Sequence, residues 1–158
     1  MHRRSRYAAE FRDWLLSRLA EDVRLRSGPV DAAAWLTFDT ESTRVLREAV
    51  AREGWPGRSR VGEDGATAAF LLAQHSPDLA FQKEVLALLH TQPPGEVDPS
   101  HAAYLHDRLC IRQGRPQRYG TQVQVDGHPF PLEPGDVDAR RAGVGLGPLE
   151  AYLALFRS

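Results

Sequence analysis

Ala66-Thr67-Ala68-Ala69-Phe70-Leu71-Leu72-Ala73-Gln74-His75-Ser76-Pro77-Asp78-Leu79 is the stretch whose reading decides the fold. Ala66, Ala69, Phe70 and Ala73 recur at spacings of three and four, the period of a helix that buries one face. Their small side chains let another helix approach closely. His75 falls at the end. Ser76-Pro77 then supplies an N-cap and a first-turn proline. Leu79, Phe81, Val85, Leu86 and Leu89 carry the same period onward until Gln92-Pro93-Pro94-Gly95 stops it. Helix, break and helix in this order point to an α-rich core.

Working outward, Phe11, Trp14, Leu15, Leu19 and Val23 form an apolar stripe from Tyr7 to about Arg26, closed by Ser27-Gly28-Pro29. A second helix is expected from near Asp39, through Val45, Leu46, Ala49 and Val50, to the break at Gly54-Trp55-Pro56-Gly57. Residues 30–38 read either way, and the chain is expected to be irregular up to Gly62. Asp98-Pro99 opens a further helix to about Arg112, closed by Gly114. From Gln117 the period moves toward two. Asp126-Gly127, between Val123-Gln124-Val125 and His128-Pro129-Phe130, is a short hairpin signal, with Pro129 confining its strand to an edge or bulge. Short helices are expected over 136–142 and 148–156. The expected class is mainly α, formally α+β: one compact helical domain over residues 1–158 with a small antiparallel β-hairpin near residues 117–132, and flexible residues 1–6.

Composition narrows the function classes. With 42% hydrophobic and 26% charged residues among 158, the chain has the balance of a globular protein. A formal net charge of -1 gives no global attraction to nucleic acid or to an anionic membrane, so neither is an expected partner. The single cysteine, Cys110, rules out an internal disulfide and any Cys-x-x-Cys site, which fits a cytoplasmic location. Arg3, Arg4 and Arg6 precede Glu10, Arg12 and Asp13 rather than an apolar run, unlike a secretory leader. Lys83 is the one lysine among 20 cationic residues, and the abundance of arginine, alanine, glycine and proline fits a GC-rich bacterial genome.

The densest polar chemistry lies in Gly114-Arg115-Pro116-Gln117-Arg118-Tyr119-Gly120-Thr121-Gln122. Its amides, phenol, guanidinium and hydroxyl can face a ligand or satisfy loop backbone. His75 is the leading acid/base candidate, since imidazole exchanges protons near neutral pH; the competing role is a C-cap bonded to a carbonyl. Asp107 and Tyr119 complete the candidate catalytic set, with Arg108, Gln117, Gln122 and Arg140 as candidate substrate-binding residues. Asp107 and Arg108 point about 100° apart on a helix, so each needs its own partner, and an ion-pair network is the alternative reading of both. Arg58, Ser59, Glu63 and their neighbouring glycines suggest an anion-binding loop before a helix, yet match neither a Walker motif nor a dinucleotide fingerprint. No metal-ligand spacing or Gly-x-Ser-x-Gly elbow is present, so no metal and no cofactor is expected.

Four ordered motifs, Gly54-Trp55-Pro56-Gly57-Arg58-Ser59-Arg60-Val61-Gly62-Glu63-Asp64-Gly65-Ala66, Gln74-His75, Tyr104-Leu105-His106-Asp107-Arg108 and Gly114 to Gln122, resemble a bacterial family catalogued only as a domain of unknown function. Its signatures are GWPxxSxVGxxGAxAAxLxxQH and DRxxxxxGxPQxYGTQ, and the likeness runs from about Asp39 to Tyr152. Val137-Asp138-Ala139-Arg140-Arg141 and Val144-Gly145-Leu146 look like its carboxy-terminal pattern. Asp22 and Arg26 are similar to the family's Asp-Gln-x-x-Arg helix, with Val23 standing where the family has glutamine. The resemblance implies a fold and names no reaction. The function expected from the residues is a small-molecule enzyme without a redox cofactor, performing acid/base hydrolysis, isomerisation or cyclisation of a small polar substrate. The alternative is a non-enzymatic regulatory module with a protein partner.

Overall fold

The computed structural model describes residues 2–157, with side chains from residue 6 onward. The flexibility expected for residues 1–6 concerns, at residues 1–5, side chains outside that description. The described residues are mainly helical: α1 His2–Ser27, α2 Ala32–Glu53, α3 Arg58–Gln74, α4 Leu79–Thr91, α5 Pro99–Arg112, α6 Val137–Ala142 and α7 Leu149–Ala154. Contacts divide the chain into two compact units, Met1–Val97 and Asp98–Ser158.

In the first unit α1 packs on α2 and α3, and α3 packs also on α2 and α4. Leu15, Leu46, Val61, Phe81 and Val85 are fully buried there. Side chains of this size each contribute roughly 1.5–3 kcal/mol when removed from water. The alanine and glycine face of α3, with Gly65, Ala66, Ala68, Ala69 and Ala73 buried, is what lets its neighbours close in. Helix α2 begins earlier than its apolar stripe suggested, because Asp31 caps it: the Ala34 amide donates to Asp31 Oδ1 at 3.0 Å. Helix α3 also starts early, at Arg58, and is bent at Gly62, whose φ of 77° and ψ of 169° lie in territory that only glycine adopts freely. Asp78, not Ser76, caps α4, through the Phe81 amide at 2.9 Å.

In the second unit α5 begins at Pro99 behind the Asp98 cap, as its local chemistry implied. The expected β-hairpin is not found: no strand forms among the described residues. Val123 and Pro129 make one isolated antiparallel bridge, and Gln117 and Leu132 one parallel bridge. The turn at Asp126-Gly127 exists, with the Gln124 amide donating to His128 O at 2.8 Å and Phe130 N to Gln122 O at 3.1 Å. A ladder cannot extend from it, because Pro129 has no N–H to give and Val125 stands fully in solvent with nothing to pack against. Side chains hold this region instead.

Candidate functional site

On α1 the buried face that carries Phe11 and Leu15 continues seven and eleven residues beyond Leu15, at Asp22 and Arg26. Val23, expected in the apolar stripe, is 56% exposed, and Asp22 is 2% exposed. At this level α1 meets the polar end of α3 rather than its alanine-rich body.

His75 is the C-cap residue of α3. Its ring is not spent on a helix-end carbonyl, because the buried Gln82 amide donates to Ala73 O at 3.2 Å and Gln74 O at 3.0 Å. The imidazole reaches α1, with Nδ1 2.9 Å from Asp22 Oδ2. An imidazole nitrogen and a carboxylate oxygen at that distance share one proton, and an ionised aspartate has none to give. Nδ1–H therefore donates to Asp22, which leaves the lone pair on Nε2. The ring is 24% exposed.

Arg26 ties this pair to α2. Its Nε lies 3.0 Å from Asp22 Oδ1 and 3.2 Å from His75 Nδ1, and its Nη2 donates to both oxygens of Asp39 at 2.7 and 2.8 Å. The Arg26 Nε–H is aimed at His75 Nδ1 and cannot donate there once Nδ1 carries a proton; with that proton donated to Asp22, the approach of Nε to Asp22 Oδ1, which accepts no hydrogen bond, acts as an ion pair. The guanidinium lies 5.0 Å from the centre of the Trp35 ring, a cation–π contact that fixes its position. Burial raises the Asp39 carboxyl above its ordinary value, opposed by the hydrogen bond from Arg26. Asp22, Asp39 and His75 offer three donor atoms within 4.8 Å of one another, the set that could hold a metal ion. Arg26 already sits on both carboxylates, so a divalent cation would have to displace it.

The polar residues of the second unit gather around Asp107, which is fully buried. Its Oδ1 accepts from the amides of Arg118 at 2.8 Å and Tyr119 at 3.1 Å, and its Oδ2 from the Thr121 amide at 3.0 Å and hydroxyl at 2.9 Å. Burial alone would raise this carboxyl, yet hydrogen bonds from His106 and from the Thr121, Arg118 and Tyr119 amides bring it below the ordinary value. Gly120, at φ 68°, lets the loop turn tightly enough to aim these amides at one carboxylate.

Gln117 is fully buried; its Nε2 donates to Gln122 O at 2.9 Å and Phe130 O at 3.0 Å, and its Oε1 accepts from Gln122 N at 2.9 Å. The Gln122 side chain donates to Thr121 Oγ1 at 3.1 Å. Arg140 gives Nε to Arg118 O, Nη1 to Pro134 O and Nη2 to Glu133 O, at 2.8, 3.2 and 3.1 Å. The Tyr119 ring is part-buried and meets His106 edge-on at 5.9 Å. Arg108 is part-buried on α5 beside Asp107. Cys110 is 1% exposed and burial pushes its thiol up, which suppresses nucleophilic thiolate. Asp107, Tyr119, Gln117, Gln122 and Arg140 thus belong to one hydrogen-bonded loop assembly, and the partners of His75 in the first unit are Asp22 and Arg26.

A model described as a family of unknown function, DUF6624, matches residues 28–158. The chain belongs to that family. No curated protein and no solved structure matches it. The DUF6624 match takes in Asp39, His75 and the whole Asp107 assembly, and begins after Asp22 and Arg26. Those two, together with Asp39, are the residues that a count of apolar periodicity passes over. The signal that finds them is an aspartate and an arginine four apart on a helix face where the stripe should continue. Among the described residues no helix is long and apolar enough to cross a membrane.

Proposed function

We propose that the chain is a small-molecule enzyme working by acid/base chemistry at His75, with Asp22 as the residue that orients it. The carrying observation is the 2.9 Å contact between buried Asp22 Oδ2 and His75 Nδ1, which directs the free lone pair to Nε2 on a part-exposed ring. Nε2 takes a proton from water or from a substrate O–H or N–H, and returns it to the leaving or rearranging atom. The imidazolium formed between these steps is stabilised by Asp22, while Arg26 and Asp39 hold Asp22 in place. With histidine neutral the cluster carries two carboxylates and one guanidinium, so gaining a proton brings it to charge balance. That residual negative charge favours a neutral or cationic polar substrate. Hydrolysis, isomerisation and cyclisation without a redox cofactor all suit this inventory.

In this reading Asp107, Gln117, Gln122 and Arg140 shape the loop that carries Tyr119. The test is turnover of a panel of small esters, lactones, amides and cyclic imides by the wild type, His75→Gln and Asp22→Asn. A reaction of the wild type that falls by about 10²–10⁴ in His75→Gln, with a smaller fall in Asp22→Asn, supports the proposal. Turnover that survives His75→Gln removes His75 from the chemistry, and none across the panel favours the binding-module alternative.

A further inference from the structure

The corner between α3 and α4 is fastened on both sides of His75. Before it in the chain, the Gln82 amide of α4 donates to Ala73 O and Gln74 O at 3.2 and 3.0 Å. After it, the Thr43 hydroxyl of α2 donates to Ser76 Oγ at 2.8 Å, and Arg47 Nη1 donates to Asp78 Oδ2 at 2.7 Å. The ties at Ser76 and Asp78 fix a turn. The tie at Ala73 and Gln74 also decides which acceptor the imidazole meets.

Gln82 belongs to the buried face of α4 with Phe81, Val85 and Leu89, and is itself fully buried. An apolar side chain of the same volume would fill that space without the cost of desolvating an amide. What only a donor does there is to occupy the carbonyls at the end of α3. Helix-end carbonyls lack an intrahelical N–H and form the negative pole of the helix. Histidine side chains near a helix C-terminus bond to such carbonyls, and His75, the C-cap residue, directly follows Gln74. Its ring N–H therefore has two competing kinds of acceptor, the α3 carbonyls and Asp22 Oδ2, which lies 2.9 Å from Nδ1. Gln82 takes the carbonyls out of that competition.

We propose that Gln82 is a positioning residue for His75: by filling Ala73 O and Gln74 O it reserves the imidazole N–H for Asp22 and keeps Nε2 bare. The inference rests on the acid/base reading of His75 and extends it to α4, a helix that contributes no member of the Asp22, Arg26, Asp39 and His75 cluster.

The experiment is long-range proton–nitrogen NMR of the His75 ring, at a pH where the ring is neutral, in the full-length wild type, Gln82→Met and Val85→Ala. Gln82→Met keeps the length of the side chain and loses its donor. Val85→Ala opens a small void on the same buried face and leaves the Gln82 amide in place, so it controls for loosened packing. In Gln82→Met the ratio of Nδ1-protonated to Nε2-protonated ring should fall about fivefold, the factor that one ordinary hydrogen bond sets. Val85→Ala should keep the wild-type ratio. An unchanged ratio in Gln82→Met overturns the proposal, and so does an equal shift in Val85→Ala. Should Gln82→Met fail to fold, Gln82→Asn, which draws the amide back by one carbon, decides on the same criterion. The tautomer of the wild type tests the pairing of His75 with Asp22, whereas the difference between wild type and variant tests Gln82, so the two can fail separately.

Discussion

Asp107 in the second unit and Asp22 in the first are both buried carboxylates on helices, 0% and 2% exposed. Asp107 spends its short hydrogen bonds on three backbone amides and a hydroxyl of one loop, none of which exchanges a proton near neutral pH, and the His106 imidazole stands at a longer 3.5 Å from its Oδ1. Asp22 faces an imidazole and a guanidinium, each of which continues to a further group or to solvent. The first arrangement fixes a backbone path. The second couples titratable side chains, with one ring nitrogen left over. Density of polar residues in a motif therefore does not mark chemistry; what a buried carboxylate is bonded to does.

The largest effect that tests this contrast is on stability. Asp107→Ala strands the amides that the carboxylate gathers, and breaking a buried charged network of this kind costs about 3–5 kcal/mol. Chemical denaturation followed by circular dichroism measures it. A cost under about 1 kcal/mol, the scale of an exposed pair, would mean that Asp107 is not the loop's anchor and would break the comparison. Gln117→Ala removes three hydrogen bonds at a fully buried site and is expected to cost about 2 kcal/mol.

The pH dependence sharpens the same contrast, because the two units move in opposite directions. The folded Asp107 carboxyl lies below its ordinary value, so its contribution is complete above the unfolded value of about 3.9 and is lost as pH falls through the folded one. The folded Asp39 carboxyl is raised by burial, so its cost is constant above the raised value and is relieved as pH falls through it. Acid unfolding curves of Asp107→Asn should be flatter than those of the wild type below about pH 3.9, and curves of Asp39→Asn steeper just above it. Identical curves for all three proteins would contradict the assignment. The smallest effect is that of His75→Gln on stability, within about 1 kcal/mol, since the ring is part-exposed and α3 is capped by Gln82.

How far the sequence carried these conclusions depended on whether the decisive contacts were local. Helix α5 is legible because Asp98 and Pro99 at its start act within one turn, whereas α4 is legible from its apolar period, its cap being Asp78 with Pro77 ahead of it. The early start of α2 is hidden because Ala32, Ala33 and Ala34 add no apolar period after the Asp31 cap. The hairpin signal at Asp126-Gly127 is real as a turn and fails as a sheet, since Gln117, Asp107 and Arg140 supply from side chains the bonds that a ladder would have made. His75 is visible as a titratable group at a helix end, whereas Asp22 and Asp39 come to it from other helices, through contacts that no single stretch of chain reveals.

The central claim is that Asp22 holds the Nδ1 proton of His75 and leaves Nε2 bare. Long-range proton–nitrogen correlation NMR of the His75 ring, recorded above the pH range in which imidazole is charged, reads this directly. The wild type should show a protonated Nδ1 and an unprotonated Nε2, and Asp22→Asn should shift the ring toward the other tautomer. A wild-type ring protonated at Nε2, or a tautomer unchanged in Asp22→Asn, would contradict the account.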